Sequence, residues 1–554
     1  MKLFVHQLLI VLLFTLTFSN SFSQSGVVSG IVTDLVNNEF VPYATVGLVG
    51  TDFGTQSDDS GRFEISGIPS GLYNIQISCV GYKLQTIFEI QVSNAIPVNL
   101  QIQLEPSSTE LNEVVVQGNS SNNKSESPTS LKTIGTNEIQ RNPGGGRDIS
   151  KVLQSLPGVN AGVSFRNDIV IRGGAPNENR FYLDGMEIPN INHFATQGSN
   201  GGPVGMLNVD FIKSVDFFSS SFPASRGNAL SSVIEFTQKD GRTDHFGFSA
   251  TLGSSDLGLT IEGPTGKNSS LLFSTRRSYL QLLFKSLGLP FLPTYSDYQF
   301  KEKIKFNQQN ELSIISIGAL DKSPLNLKAD STDYQKYILG YLPEYDQWNY
   351  AVGAVYKHFG EHHFSTLVLS RNQLKNSATK YFNNDKSDQN NLLLNYTSTE
   401  TENKLRIENS FYQKQLKLNF GTGAETANYT NATFNKISLP NGSITTISFE
   451  SELSFVKYYG FIQSTLTLSN DRLIINTGLR ADGNSYSPSM RNPLKQFSPS
   501  FGISYAVSEK IFWNGSTGIY YQLPPYTVLG YRDSSGVLVN KENELTYISC
   551  NHFV

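Results

Sequence analysis

Three places in the sequence set out side chains suited to chemistry. His358-Phe359-Gly360-Glu361 is followed by His362-His363, so three imidazoles and a carboxylate fall within six residues. That is a donor set Zn²⁺ uses. The flanking runs Ala351–Tyr356 and Phe364–Leu369 read as strands, which puts Gly360 in a hairpin turn. No downstream His sits in a matching catalytic context, so solvated turn residues are the better reading. Pro143-Gly144-Gly145-Gly146-Arg147 precedes a helical pattern, the position of a phosphate-cradling loop. It lacks the Gly-Lys-Ser/Thr ending and reads as a loop entering a helix. No Gly-x-Ser-x-Gly elbow stands in a triad context. The two cysteines, Cys79 and Cys550, cannot build a disulfide scaffold or a thiolate zinc site. The chemistry-bearing residues therefore predict neither an enzyme, nor a resident cofactor, nor a metal site.

The bulk composition points the same way. The chain of 554 residues has 47 Asp+Glu against 43 Lys+Arg, so it lacks the basic excess of a nucleic-acid binder. Charged residues are 16 % of the chain, against about 25 % in an average soluble protein. Thirty-six Phe, 26 Tyr and 46 Gly favour a β-rich, turn-rich protein. One long apolar run, Leu8–Phe18, follows Lys2 and precedes Ser21-Phe22-Ser23. It is too short to span a bilayer and reads as a signal peptide over 1–23. Nothing later reaches the roughly 18 consecutive apolar residues of a membrane helix, which leaves a β-barrel open.

The elements follow from periodicity. Gly26–Val32, Tyr43–Val49, Arg62–Ile65, Tyr73–Val80 and Val98–Leu104 are short strand-forming runs, broken at Asn37-Asn38, Asp58–Gly61 and Pro69–Gly71. They predict a small β-sandwich over 24–105. Cys79 sits on one of its strands as a small hydrophobe. The motifs Gly30–Asp34, Pro42-Tyr43-Ala44, Asp59–Phe63 and Val80–Lys83 resemble the carboxypeptidase-regulatory-like domain. That resemblance implies a transthyretin-type, non-catalytic sandwich. Residues 106–130 are a polar linker interrupted by Leu111–Val116, a strand-former. It suits either the edge of a partner's sheet or the first strand of the next domain.

Residues 131–240 mix types. Asp148–Leu156 has helical spacing, stopped at Pro157-Gly158. Ile169–Arg172, Arg180–Leu183, Val209–Phe218 and Ser232–Thr237 read as strands. Three ordered motifs here resemble the plug domain of TonB-dependent outer-membrane receptors. They are Leu153–Val159, then Ile171-Arg172-Gly173-Gly174 with Asn179–Gly185, then Phe222–Gly227 with Ser231–Ile234. The resemblance implies that Arg172, Gly173, Gly174, Arg180, Asp184 and Gly185 lock the plug, and that Glu113, Val114, Val115 and Val116 lie where a TonB box is expected. A regulatory-like domain before the plug is the arrangement of Bacteroidota-type receptors. On the residues alone, Gly173-Gly174 permits positive φ, and Arg172, Arg180 and Asp184 would need partners in a confined polar lumen.

From Gly241 the period is two. Leu473, Ile475, Thr477 and Leu479 share one face, against Arg472, Asn476, Gly478 and Arg480 on the other. Phe501, Ile503, Tyr505 and Val507 face away from Ser498, Ser500, Gly502, Ser504 and Ala506. Ile511, Trp513, Ile519 and Tyr521 face away from Asn514, Ser516 and Gly518. Tight turns at Ser469–Asp471 and Ser508–Lys510 alternate with a long polar loop, Ala481–Gln496. Apolar-out strands with polar interiors, short turns and long loops predict a transmembrane antiparallel barrel over 241–554. Tyr458, Tyr459, Tyr520 and Tyr521 suit an interfacial girdle.

The fold class expected is therefore mainly β: sandwich, α/β plug, barrel. The resemblance implies a receptor in the cell outer membrane, with its N-terminal domain and plug on the periplasmic side. It would take up a scarce nutrient, with TonB and its inner-membrane energising complex, outer-membrane lipid and a small ligand as partners. Siderophore, haem, metal chelate, vitamin, peptide and glycan all stay open as that ligand. A non-transporting β-rich surface adhesin or assembly module is the alternative. The family's 22 strands would leave about 14 residues per strand with its connection. The visible loops exceed that, so the barrel is expected to be incomplete at the C-terminal end.

Overall fold

The computed structural model describes residues 25–107 and 131–553, apart from 95–96, 144, 162–165, 200, 220, 254, 439–442, 470–471, 509–510, 534 and 543–545. The expected signal peptide and the Leu111–Val116 segment lie outside the described residues. The chain divides into two compact units, 1–114 and 115–554.

In the first unit two sheets face each other. One has the order Arg62–Ile68, Gly26–Asp34, Val98–Leu104; the other has Gly54–Gln56, Thr45–Leu48, Gly71–Ser78, Gln85–Val92. Alternation puts Val28, Val32, Phe63, Ile65, Ile102 and Leu104 inward from one sheet, and Val46, Leu48, Ile75 and Ile77 from the other. Periodicity located five of the seven strands. Gly54–Gln56 has three residues and too little pattern to be seen. Gln85–Val92 has Phe88 and Ile90 only partly covered, as on an edge. Cys79 is half-buried and packs against this core.

The second unit begins with a five-stranded sheet in the order Met186–Ile188, Asn179–Leu183, Ser232–Gln238, Ile212–Phe218, Leu131–Gly135. The helix Ile149–Gln154 packs on it, started by Asp148, whose side chain accepts from Ser150 N. The same carboxylate takes Asn167 Nδ2 at 2.7 Å and Gly205 N at 2.8 Å, so one cap also fastens two loops. The Pro143–Arg147 stretch therefore leads into a structural N-cap.

Fourteen strands then run in chain order from Gly247–Leu252 to Ile548–Phe553, every neighbouring pair antiparallel. The connections 267–268, 306–309, 360–362, 414–415, 469–472 and 509–510 are short and share one end. At the other end are 279–293, 324–343, 382–391, 485–496 and 523–547, with the shorter 253–255 and 439–443. The long loop expected from Ala481 starts later, because the strand Leu473–Asn484 runs through it. Strands reach 25 residues in Ile444–Leu468, well beyond the roughly 10 that cross a bilayer. Among the described residues no helix is long and apolar enough to cross a membrane.

The expected faces hold. Leu479, Phe501, Tyr505, Val507 and Trp513 are exposed on the outer surface, while Asn476, Arg480, Ser498 and Ser504 are buried inside. Two of the four tyrosines assigned to a girdle point inward instead. Tyr459 lies under Arg480, 3.9 Å from its guanidinium carbon, and Tyr520 packs on Phe222 with ring centroids 4.4 Å apart. Consecutive residues of a strand face opposite ways, so only one of each pair can meet lipid. The polar-interior rule also breaks locally. Ile315, Ile317, Ala351, Val355 and Val368 point inward and join the plug's core of Ile134, Leu153, Phe181, Met186, Ile234 and Phe236.

The sandwich core predicts its own sensitivity. Truncating fully buried Ile77 to Ala should cost about 2–5 kcal/mol. Both tryptophans lie in barrel strands, so urea-dependent pulse proteolysis of the N-terminal unit is the measurement, and tryptophan fluorescence should report no change.

Candidate functional site

The plug motifs fold into two tight turns. Arg172 and Gly173 take φ of 49° and 82° after the strand Ile169–Ile171. Gly174 follows, and a Cβ there would lie 1.7 Å from Ser231 Oγ, so no side chain fits. Asp184 and Gly185, with φ of 48° and 86°, close the hairpin between Asn179–Leu183 and Met186–Ile188. Two positive φ values in a two-residue loop match the right-handed twist of the paired strands. Asp184 accepts from Gln238 N at 2.8 Å and Nε2 at 3.0 Å, and pairs with Lys301 of the wall at 3.0 Å. Arg180 Nε donates to Asn228 O at 2.8 Å and lies 4.0 Å from Glu187. Arg172 is exposed and forms no ion pair among the described residues. Of the three charges expected to need partners, two are paired and one is hydrated.

One side of the seam between plug and wall is ionic. Lys404 binds plug Glu187 at 2.7 Å and wall Glu402 at 2.8 Å; Lys457 binds Glu402 at 2.8 Å and Glu425 at 2.6 Å. Plug Arg226 spans Glu235 at 2.5 Å and wall Glu408 at 2.7 Å, over the Tyr182 ring. Burial opposes the charge on Arg226, yet the two carboxylates raise its pKa further above the usual guanidinium range. Arg406 donates to Gly185 O at 2.6 Å, and Arg480 donates to Ala224 O at 3.1 Å while paired with Asp482.

A plug histidine makes another anchor. His193, fully buried, has Nε2 2.8 Å from Asp297 and Nδ1 2.7 Å from Asp321, and stacks on Tyr295. Arg276 pairs with Asp297 at 2.7 Å and donates to plug carbonyls of Gly205 and Met206. Burial pulls the His193 pKa down, but the two carboxylates outweigh it and push it up to about 9. At neutral pH the ring is an imidazolium that donates from both nitrogens.

Above the plug, toward the end with long connections, lies a cleft. Arg180, Glu187, Asn190 and Gln197 line it from the plug; Glu400, Glu402 and Gln522 line it from the wall; Tyr526 closes it from the connection 523–547. Tyr526 Oη donates to Glu402 and accepts from Lys457 Nζ at 3.0 Å.

Comparison with known proteins agrees with this architecture. Residues 28–116 match the CarboxypepD_reg-like domain, 123–233 the TonB-dependent Receptor Plug Domain, and 294–544 the TonB dependent receptor-like, beta-barrel. The chain belongs to the TonB-dependent receptors. No curated protein matches it. Among solved structures it is similar to a mutant of the ferric enterobactin receptor PfeA of Pseudomonas aeruginosa, with 16% identity, TM-score 0.55, and 72% of this chain and 63% of that one covered. Pyoverdine-bound FpvA of P. aeruginosa gives 15%, 0.57, 78% and 60%. The siderophore receptor PirA of Acinetobacter baumannii gives 16%, 0.52, 71% and 61%. The chain thus spans less than two thirds of the length of these receptors.

In this receptor the motif residues Gly173, Gly174, Asp184 and Gly185 shape turns, Asp184 pairs across the seam with Lys301, and Arg180 contacts Asn228 and Glu187 within the plug. The TonB-box-like Glu113–Val116 lies outside the described residues. The turn imidazoles do not gather: His358 Nδ1 lies 2.9 Å from Asn310 Oδ1, and no metal-holding group of His, Cys, Asp or Glu occurs among the described residues. Sequence reading missed the wall's charges. Their signal was present in Glu400, Glu402, Lys404, Arg406 and Glu408, five charges at a spacing of two on the strand Leu392–Gln413. His193 carried no such pattern.

The His193 anchor predicts a pH dependence. The unfolded imidazole titrates near 6.5, and the folded one near 9. The stabilisation is full below pH 6.5, declines as pH rises, and is lost above about 9. Thermal unfolding of the purified receptor, followed by tryptophan fluorescence, should fall across that window, and His193→Gln should flatten the fall.

Proposed function

We propose that this receptor sits in the outer membrane and takes up a scarce nutrient into the periplasm with energy delivered through TonB. The observation that carries the reading is the double duty of Glu402. It lines the cleft, and it also holds Lys404 and Lys457, of which Lys404 grips plug Glu187. A ligand that draws hydrogen bonds from Glu402, Glu187 or Tyr526 competes with those lysines. Occupancy of the cleft and the wall's grip on the plug are then linked, and linkage acts in both directions.

In this reading residues 1–23 direct secretion, 24–105 form the regulatory-like domain, 106–130 the linker, 131–240 the plug and 241–554 the wall. Glu113–Val116 adds as a strand to the sheet of TonB, and the inner-membrane complex supplies the force that remodels the plug. An ionic seam suits that task better than a dry one. Water entering a part-opened seam resolvates each released charge, which lowers the cost of separation. Siderophore receptors among the structural neighbours support the class of activity.

Deleting Leu111–Val116 tests the coupling. Cells expressing the receptor are given radioiron-loaded siderophores, labelled cobalamin and labelled oligosaccharides. Whichever is accumulated should no longer be accumulated by the deletion variant, while surface binding persists. Unchanged accumulation, or accumulation of none of the probes by the parent, overturns the proposal.

A further inference from the structure

The cleft holds four amide atoms that have no partner. Asn190 is buried, and neither its Nδ2 nor its Oδ1 is hydrogen-bonded. Gln522, also buried, has Nε2 fixed on Asn177 O at 2.6 Å, which leaves Oε1 free. Gln197 has Oε1 held by Tyr396 Oη at 2.9 Å and by Ser398, which leaves Nε2 free. A backbone carbonyl can only accept, so Asn177 O settles the orientation of Gln522, and each glutamine turns one amide atom without a partner to the cleft. Polar atoms out of water without partners are rare in native proteins and mark sites completed by something else.

Charge narrows what that is. Four ionisable side chains line the cleft: Arg180 against Glu187, Glu400 and Glu402. Glu187 is paired with Lys404 and Glu402 with both Lys404 and Lys457, and these two lysines line an adjoining, smaller cavity with Arg406 and Arg480 rather than the cleft itself. Glu400 has neither an ion pair nor a hydrogen bond among the described residues. An anionic chelate entering here would meet three glutamates against the single guanidinium of Arg180, whose Nε is held by Asn228 O and which lies 4.0 Å from Glu187. The unfilled valences are instead those of carboxamides, which accept from and donate to hydroxyl and amide groups, and of the Glu400 carboxyl group.

We propose that this cleft recognises an uncharged ligand rich in hydroxyl or amide groups, read by Asn190, Gln197, Gln522 and Glu400, and discriminates against anionic ferric chelates. The proposal rests on the uptake reading for its site but is tested by binding alone, so the two can fail separately.

Purified full-length receptor in detergent is titrated calorimetrically with three probes: maltohexaose for hydroxyls, cyanocobalamin for carboxamides, and the ferric triscatecholate anion of enterobactin. One neutral probe should bind, and the chelate should not. Which neutral probe binds separates the hydroxyl from the amide source. Asn190→Leu and Gln522→Leu should each weaken that binding about tenfold or more, the loss of roughly one hydrogen bond to a desolvated group. Glu400→Gln, which keeps an acceptor oxygen in a side chain of the same shape, should weaken it less than Glu400→Leu. Far-UV circular dichroism and heat-modifiability gels check that each variant is folded. Tight binding of the chelate, failure of both neutral probes, or folded Leu variants that bind like the parent would each overturn the proposal.

Discussion

A carboxylate or ammonium removed from water has to find a counter-charge or hydrogen bonds. The lumen of this receptor is organised by that requirement. Wall strands turn an apolar face outward along much of their length, so the charges they bury lie on the other face, where the plug occupies the space. Glu402, Lys404, Arg406, Glu408, Lys457, Arg480 and Asp482 therefore point at the plug, which answers with Glu187, Arg226, Glu235 and the carbonyls of Gly185 and Ala224. The tight turns serve the same end. The Asp184-Gly185 reversal offers one carboxylate to Lys301 and one carbonyl to Arg406 from neighbouring residues.

The plug is held differently on its sides. Against Ile315, Ile317, Val355 and Val368 the contact is apolar and continuous with the plug's own core. Near Glu402 and Glu408 it is ionic. Apolar contacts lose stabilisation in proportion to exposed area, whereas ion pairs exchange with water at a smaller net cost once water arrives. Loosening is then expected to begin on the ionic side, beneath the cleft, with the apolar side acting as the hinge region. The His193 anchor borders the apolar side, because Asp321 follows Ile315, Ile317 and Ala319 on the inward face of the strand Asn310–Ser323. Its two carboxylates and Arg276 tie a plug hairpin to three wall strands through one imidazolium.

Periodicity carried much of the fold. Alternation in Leu473–Arg480, interrupted at Ile474, and in Phe497–Val507 showed which residues face outward, because a strand with one polar and one apolar side has no other consistent pattern. The plug helix was legible from Asp148, Ile149, Val152 and Leu153, since a capping side chain and apolar spacing act within one turn. Short or edge strands such as Gly54–Gln56 were not legible, having too few residues to show a period. Tyr459 and Tyr520 were assigned outward because aromatic type was weighed above parity, and their neighbours Lys457 and Gln522 would have settled it.

The sequence by itself determined the β class and the turn residues of the plug, because each depends on neighbours within a few positions. The tertiary structure alone decided the partners. Asp321 lies 128 residues from His193, Glu402 lies 124 from Tyr526, and Gln522 lies 345 from Asn177. Such pairs form only where the meander brings a wall strand past a plug loop. The free atoms of Asn190, Gln197 and Gln522 were equally invisible beforehand. An amide's unused valence becomes apparent only when every neighbour able to fill it has been placed.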